Sequence, residues 1–322
     1  MSAPASHCAR RKGLCRSHRR RASIGLRRIT NGPESTCERW RPRVASRGVS
    51  PTSTAQLRLP ADAEPFAVVE HLRASGLAVL PAWLGVSSLA AVLLEHEQVL
   101  RRATGGPVPA GCNGIGAVSG RDLRRKQPVL RAALDGAWVR EVARGYLGRR
   151  CSINERIVCT HERRELHPIT AAHFDTLQSL KFLLYLLDTD ERNGAFRYAP
   201  GTHLGNAEAA RRWRAEGGRA RDTPNVATEE EVAALESIVG PAGTLVVFDS
   251  DGFHSGGMLQ PGAERRVVRA QSYPSPRLHL HPRRLSAQWF RETVWNPLLR
   301  RAPVPSRPAT SGNSRVRAVP GG

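Results

Sequence analysis

His173-Phe174-Asp175 and, far downstream, Phe248-Asp249-Ser250-Asp251-Gly252-Phe253-His254-Ser255-Gly256-Gly257 are the stretches on which the reading of this chain turns. Two histidines and one carboxylate can occupy one triangular face of an iron ion and leave the opposite face open for chemistry. Residues i and i+2 of a strand point to the same side, so His173 and Asp175 can grip one metal together. The third ligand must then arrive from a distant strand, and His254 is the candidate. Taken alone, the same residues also read as a surface strand pair and a turn histidine, because a lone His-x-Asp arises by accident in chains of this length.

Outward from these stretches, the sequence reads as short strands. Leu180-Lys181-Phe182-Leu183-Leu184-Tyr185-Leu186-Leu187 is a long apolar run that predicts a strand buried on both faces. Asn193-Gly194 predicts a turn before Ala195-Phe196-Arg197-Tyr198. Gly243 to Phe248 and Val267 to Tyr273 supply two further strands. Upstream the pattern is helical. A short helix begins at Asp62 or Ala63 and runs to Arg73, with Gly76 ending it before a strand at Leu77–Pro81. Ser87 to Arg101 follows, with Ser87 or Ser88 as cap, then Arg121–Leu134 and Val139–Leu147. Ile153–Thr160 predicts another strand, and residues 206–238 a charged helical insertion between strands. Helices followed by strands predict an α+β fold whose core is an antiparallel barrel or jelly roll.

The net charge of +21 suggests a nucleic-acid binder until its placement is considered. Residues 1–50 hold thirteen Lys/Arg against two Glu, and residues 300–322 hold five Arg and no acid. The body, 51–299, keeps 31 basic and 26 acidic groups and is close to neutral. The basic ends lack interleaved aromatics, so no specific nucleic-acid partner is expected. We expect 1–55 and 300–322 to be disordered basic extensions flanking a domain at 56–299; the first could equally be a transit peptide or a misassigned start. No apolar run is long enough for a membrane span. The six cysteines form no CxxC pair, which fits a reducing, cytoplasmic setting better than a zinc or disulfide framework.

From Gly76 to Tyr273 the sequence resembles the phytanoyl-CoA dioxygenase-like family of iron- and 2-oxoglutarate-dependent oxygenases. The resemblance rests on four elements in order. They are His173-Phe174-Asp175, the segment Asp188 to His203 with its Asn193-Gly194 and Pro200-Gly201-Thr202-His203, the strand Gly243–Phe248 with His254, and the basic strand Arg265-Arg266-Val267-Val268-Arg269. It implies a double-stranded β-helix (jelly-roll, cupin-like) core with flanking N-terminal helices. It also implies Fe(II) on His173, Asp175 and His254, with 2-oxoglutarate and O2 as cosubstrates. The implied reaction is hydroxylation of a small molecule with release of succinate and CO2. Halogenating relatives carry a small residue where Asp175 stands, so the retained carboxylate implies hydroxylation or a related oxidation. The family's cosubstrate arginine falls at Arg265. Alternation puts Arg265, Val267 and Arg269 on one strand face and Arg266, Val268 and Ala270 on the other, so Arg266 stays open. A guanidinium suits the task because its planar fork pairs both oxygens of a carboxylate. Three Arg in five residues also read as a solvated edge strand.

Two other classes remain open: a metal-binding barrel without turnover, and a protein whose basic tail binds nucleic acid. Lys181 reads as a strand-end residue whose head reaches water, or as an anion contact in the site. Thr202 and His203 read as support for the barrel rim, and Asp249 and Asp251 as turn residues. His279-Leu280-His281 reads as a loop, while His161 and His167 have no evident partner. The helical insertion and the loops near Asn154 and Trp289–Trp295 are expected to choose the substrate.

Overall fold

Leu77-Ala78-Val79-Leu80 (β1, Leu77–Leu80) lies against Leu245–Asp249 (β7), with Leu77 opposite Phe248 and Leu80 opposite Leu245. Alternate residues of both strands go to different cores. Ala78, Leu80, Leu245 and Val247 face a helical layer, whereas Leu77, Val79, Val246 and Phe248 face a second sheet. A strand sandwiched in this way must be apolar at every position, which is why these runs show no polar alternation.

A computed structural model of the chain describes residues 56–153, 156–163, 171–175, 178–217 and 225–274, all within one unit spanning 40–322. The larger sheet has six antiparallel strands in the order β1-β7-β4-β9-β3-β2, where β2 is Gly114–Ser119, β3 Arg156–Glu162, β4 Leu180–Tyr185 and β9 Arg265–Ser272. A smaller sheet, β6-β5-β8, is built from Phe196–Tyr198 (β5), Glu236–Ile238 (β6) and His254–Ser255 (β8). Tyr185, Phe196, Tyr198, Ile238 and Val267 close the space between the two sheets. Mixed helices and antiparallel sheet are therefore the observed architecture.

The helical layer covers the outer face of the larger sheet. It comprises α1 (Pro65–Ser75), α2 (Val86–Thr104), α3 (Gly120–Lys126), α4 (Pro128–Asp135) and α5 (Ala137–Leu147). Leu72, Val92, Leu130 and Val142 drop from it onto Ile157, Phe182, Leu184 and Val268. Gly76 ends α1 at φ 78°, and a Cβ there would strike Tyr198 Oη and the His203 ring. Only glycine serves at that junction.

Several boundaries differ from the sequence reading. Gly85, not Ser87 or Ser88, caps α2. The segment expected as one helix from Arg121 breaks at Gln127, because Pro128 has no N–H to continue it and starts a new helix. Strand β2 went unrecognised: its Gly-Ile-Gly-Ala-Val-Ser run buries one face only and carries two glycines. The insertion at 206–238 is not wholly helical. Helix α6 (Thr202–Ala215) already starts in the Pro-Gly-Thr-His turn, α7 is Glu229–Ala233, and β6 belongs to the smaller sheet. Among the described residues no helix is long and apolar enough to cross a membrane. The expectations for 1–55, 300–322, Asn154, His167, His279–His281 and Trp289–Trp295 lie outside the described residues.

Candidate metal centre

His173 and His254 are neighbours across a backbone bridge. The His173 amide donates to the His254 carbonyl at 3.0 Å, and the His254 amide donates back at 2.8 Å. Asp175 is fixed one step on, its amide donating to the Ser250 carbonyl at 2.8 Å. The two distant segments of sequence are thus one local structure.

The side chains follow from that backbone. Nδ1 of His173 lies 2.9 Å from the Ala171 carbonyl oxygen, and Nδ1 of His254 lies 2.9 Å from that of Gly252. A carbonyl only accepts, so each Nδ1 carries the proton and each Nε2 offers a lone pair. Both Nε2 atoms turn toward one carboxylate oxygen, Asp175 Oδ1, at 3.7 Å from His173 and 3.8 Å from His254. One ligand atom from each of the three residues lies within 4.8 Å of the others. Two imidazole nitrogens and one carboxylate oxygen, with the Nδ1 protons anchored, form the donor set of a facial metal site.

Lys181 enters this set from β4, and of its two sequence readings the one that takes its head to water needs correcting. Its head does not reach water: the residue is 8% exposed and Nζ lies 2.6 Å from Asp175 Oδ2. Burial works against the charge of Asp175, but the Lys181 ammonium and the two imidazoles outweigh it and hold the carboxyl below the ordinary carboxylate range. Burial, helped by the Lys181 charge, pushes the His254 imidazolium down to about 3. That histidine is neutral in neutral solution, the form a metal requires.

The triad opens into a cavity of ≈ 330 Å³ between the two sheets, walled by Leu183, Tyr185, Phe196, Phe248 and Val267. Arg265 and Arg269 also line it; Arg266 does not. Arg266 points to the other face of β9, into a separate groove with His96, His161 and Arg163. Arg265 is 7% exposed and already engaged. Its Nε donates to Glu162 Oε2 at 2.6 Å, Nη2 pairs with the same carboxylate, and Nη1 donates to the Gly194 carbonyl. Gly194, at φ 80° in the Asn-Gly turn, has Arg265 Nη1 within 3.2 Å of where a Cβ would stand. Glu162 was not singled out from sequence; its register opposite Arg265 is the signal, and only strand pairing reveals it. Nor is His161 without a partner, since its Nε2 lies 2.9 Å from Glu264.

The supporting residues brace the loop that carries His254. Asp249 Oδ1 accepts from the Asp251 amide at 2.8 Å, and its Oδ2 accepts from Tyr146 Oη at 2.7 Å. Thr202 Oγ1 accepts from the Phe253 amide at 3.0 Å. Turn-making and rim support are what these bonds do.

A two-histidine, one-carboxylate centre between paired antiparallel sheets defines an oxygenase type of site. Residues 159–267, a segment that contains the whole triad and Arg265, match the family model for phytanoyl-CoA dioxygenase. Iron and 2-oxoglutarate are the cofactors to which the triad and this match point. No curated protein matches the sequence significantly. Among solved structures, the non-heme alpha ketoglutarate dependent epimerase SnoN from nogalamycin biosynthesis is similar at 16% identity and TM-score 0.46, over 65% of this chain and 81% of that one. EctD from S. alaskensis with bound Fe is 16% identical at TM-score 0.47, over 66% and 78%. HygX from Streptomyces hygroscopicus, with nickel and 2-oxoglutarate bound, is 14% identical at TM-score 0.45, over 63% and 84%.

Proposed function

We propose that this chain is an Fe(II)- and 2-oxoglutarate-dependent dioxygenase that hydroxylates a small molecule, on a domain at 56–299 with a double-stranded β-helix core. The observation that carries the reading is the convergence of His173 Nε2, His254 Nε2 and Asp175 Oδ1, with both Nδ1 protons tied to backbone carbonyls. When bound, ferrous iron with 2-oxoglutarate supplies the two-electron oxidising power: substrate C–H, O2 and 2-oxoglutarate give the alcohol, succinate and CO2.

The protein's own residues do the placing. His173, Asp175 and His254 would hold the metal. Lys181 keeps Asp175 Oδ2 occupied, which leaves Oδ1 as the single metal-facing oxygen. Arg265, beside Gly194, receives the far carboxylate of the cosubstrate, in competition with Glu162. Leu183, Tyr185, Phe196 and Val267 line the intervening space with apolar surface, which strengthens charge interactions inside relative to open water.

Anaerobic addition of Fe(II) and 2-oxoglutarate to the full chain is expected to give a visible charge-transfer band that His173→Ala and Asp175→Ala lose. No band and no succinate from any incubation with O2 would sink the oxygenase reading. Iron binding without 2-oxoglutarate consumption would favour a barrel that binds metal without turnover.

A further inference from the structure

The cavity wall holds three cations and two carboxylates, and the cations are not equally engaged. Lys181 pairs with Asp175 at 2.6 Å, and Arg265 pairs with Glu162. Arg269 has no carboxylate partner among the described residues, and its charge acts on Lys181, of the same sign. Ferrous iron and a 2-oxoglutarate dianion add equal and opposite charge. The loaded site therefore keeps one uncompensated positive charge, and it sits on Arg269.

An exposed arginine is ordinarily a solvated one, or a guard on a sheet edge. The second explanation does not suit this position, and the first leaves the cavity-facing side chain without a role. Strand β9 is internal, flanked by β4 and β3, so no edge needs guarding. Arg269 stands opposite Val158 and Leu183 and shares its face with Val267, where an apolar residue would complete the wall. It also lies four residues beyond Arg265, about 13 Å along the strand at ~3.3 Å per residue. Register places it toward the Lys181 end of the cavity, the end where Asp175 sits, and away from Arg265 and Gly194.

We infer that Arg269 is a specificity-determining residue that receives an anionic group, carboxylate or phosphate, on the molecule to be oxidised. This inference rests on the oxygenase reading above. The planar guanidinium fork pairs two oxygens of such a group and fixes its orientation as well as its charge. The other end of the substrate then lies over the triad.

The test uses the full chain loaded anaerobically with Fe(II) and 2-oxoglutarate. The probes are matched linear and phenyl-substituted carboxylic acids, the corresponding phosphate monoesters, and the neutral primary amides of the acids. Binding is read as a shift of the charge-transfer band. Acids or phosphates are expected to bind at least about tenfold more tightly than the amides, the discrimination expected of a charge-assisted fork. Arg269→Gln should erase that preference and Arg269→Lys restore part of it, while the 2-oxoglutarate affinity of Arg269→Gln stays within about twofold of the parent. The arms separate carboxylate from phosphate recognition. Equal binding of amides and anions, no shift with any anion at millimolar concentration, or an undiminished preference in Arg269→Gln overturns the inference. A loss of 2-oxoglutarate affinity in Arg269→Gln overturns it as well, by assigning Arg269 to the cosubstrate. Failure of the parent protein to form the band is a distinct outcome, which overturns the oxygenase reading and this inference with it.

Discussion

Lys181 Nζ lies 2.6 Å from Asp175 Oδ2, while Oδ1 of the same carboxylate faces His173 and His254. One carboxylate is thereby divided between a cation from β4 and the metal position. Partners of this kind orient a ligand and set its basicity, and their loss typically weakens metal binding by about 10–100-fold. Lys181→Met keeps the length and removes the charge. It is expected to lower Fe(II) affinity by about tenfold or more in calorimetric titration. Affinity equal to the parent would show that Asp175 is positioned by its backbone alone.

Glu162 fills the fork of Arg265, the residue proposed for the far end of 2-oxoglutarate. Replacing the carboxylate by an amide removes the competing charge and leaves a hydrogen-bonding side chain of nearly equal shape. Glu162→Gln should tighten 2-oxoglutarate binding by about fivefold, roughly 1 kcal/mol. Titration of the charge-transfer band measures it. Weaker binding would instead mean that Glu162 holds the arginine in its working rotamer.

His96 is fully buried in α2, with Nε2 3.0 Å from the Thr160 carbonyl. Burial takes its imidazolium down to about 4 from the usual 6.5. Below pH 6.5 the unfolded chain takes up a proton that the folded chain refuses, so the stability tied to this group is complete above 6.5. It drains away as the pH falls toward 4. The loss by pH 5 is about 2 kcal/mol from this residue. Urea unfolding of the metal-free protein at pH 7 and pH 5 should show it, and His96→Gln should flatten the slope. A slope unchanged in the variant would place the acid sensitivity elsewhere.

Phe182 is fully buried in the helix-facing core of β4. Phe182→Ala should cost about 3–5 kcal/mol by denaturant unfolding, from lost transfer energy plus a cavity. A cost below about 1 kcal/mol would mean that the helices collapse onto the vacated space.

Three strands of the larger sheet, β1, β4 and β7, were legible because both of their faces are buried. Leu77–Leu80, Leu180–Tyr185 and Leu245–Asp249 announce themselves as unbroken apolar runs. Strand β2 stayed hidden because its glycines pack closely: a Cβ on Gly116 would come within 3.0 Å of Val99, a constraint no local pattern records. His96 gave no signal either, since a lone histidine in an amphipathic helix reads the same whether its partner is water or the Thr160 carbonyl of β3.

The sequence alone determined which residues of β9 share a side: Arg265 with Arg269 but not with Arg266. That information lies in the two-residue period of a strand, which is local. Only the tertiary structure decided which side looks into the cavity. It also decided that Lys181 meets Asp175, that Glu162 meets Arg265, and that Arg269 has no carboxylate partner among the described residues. Those pairings depend on strand order and register, with β9 between β4 and β3. They join residues far apart in the chain, and no periodicity within one segment carries them.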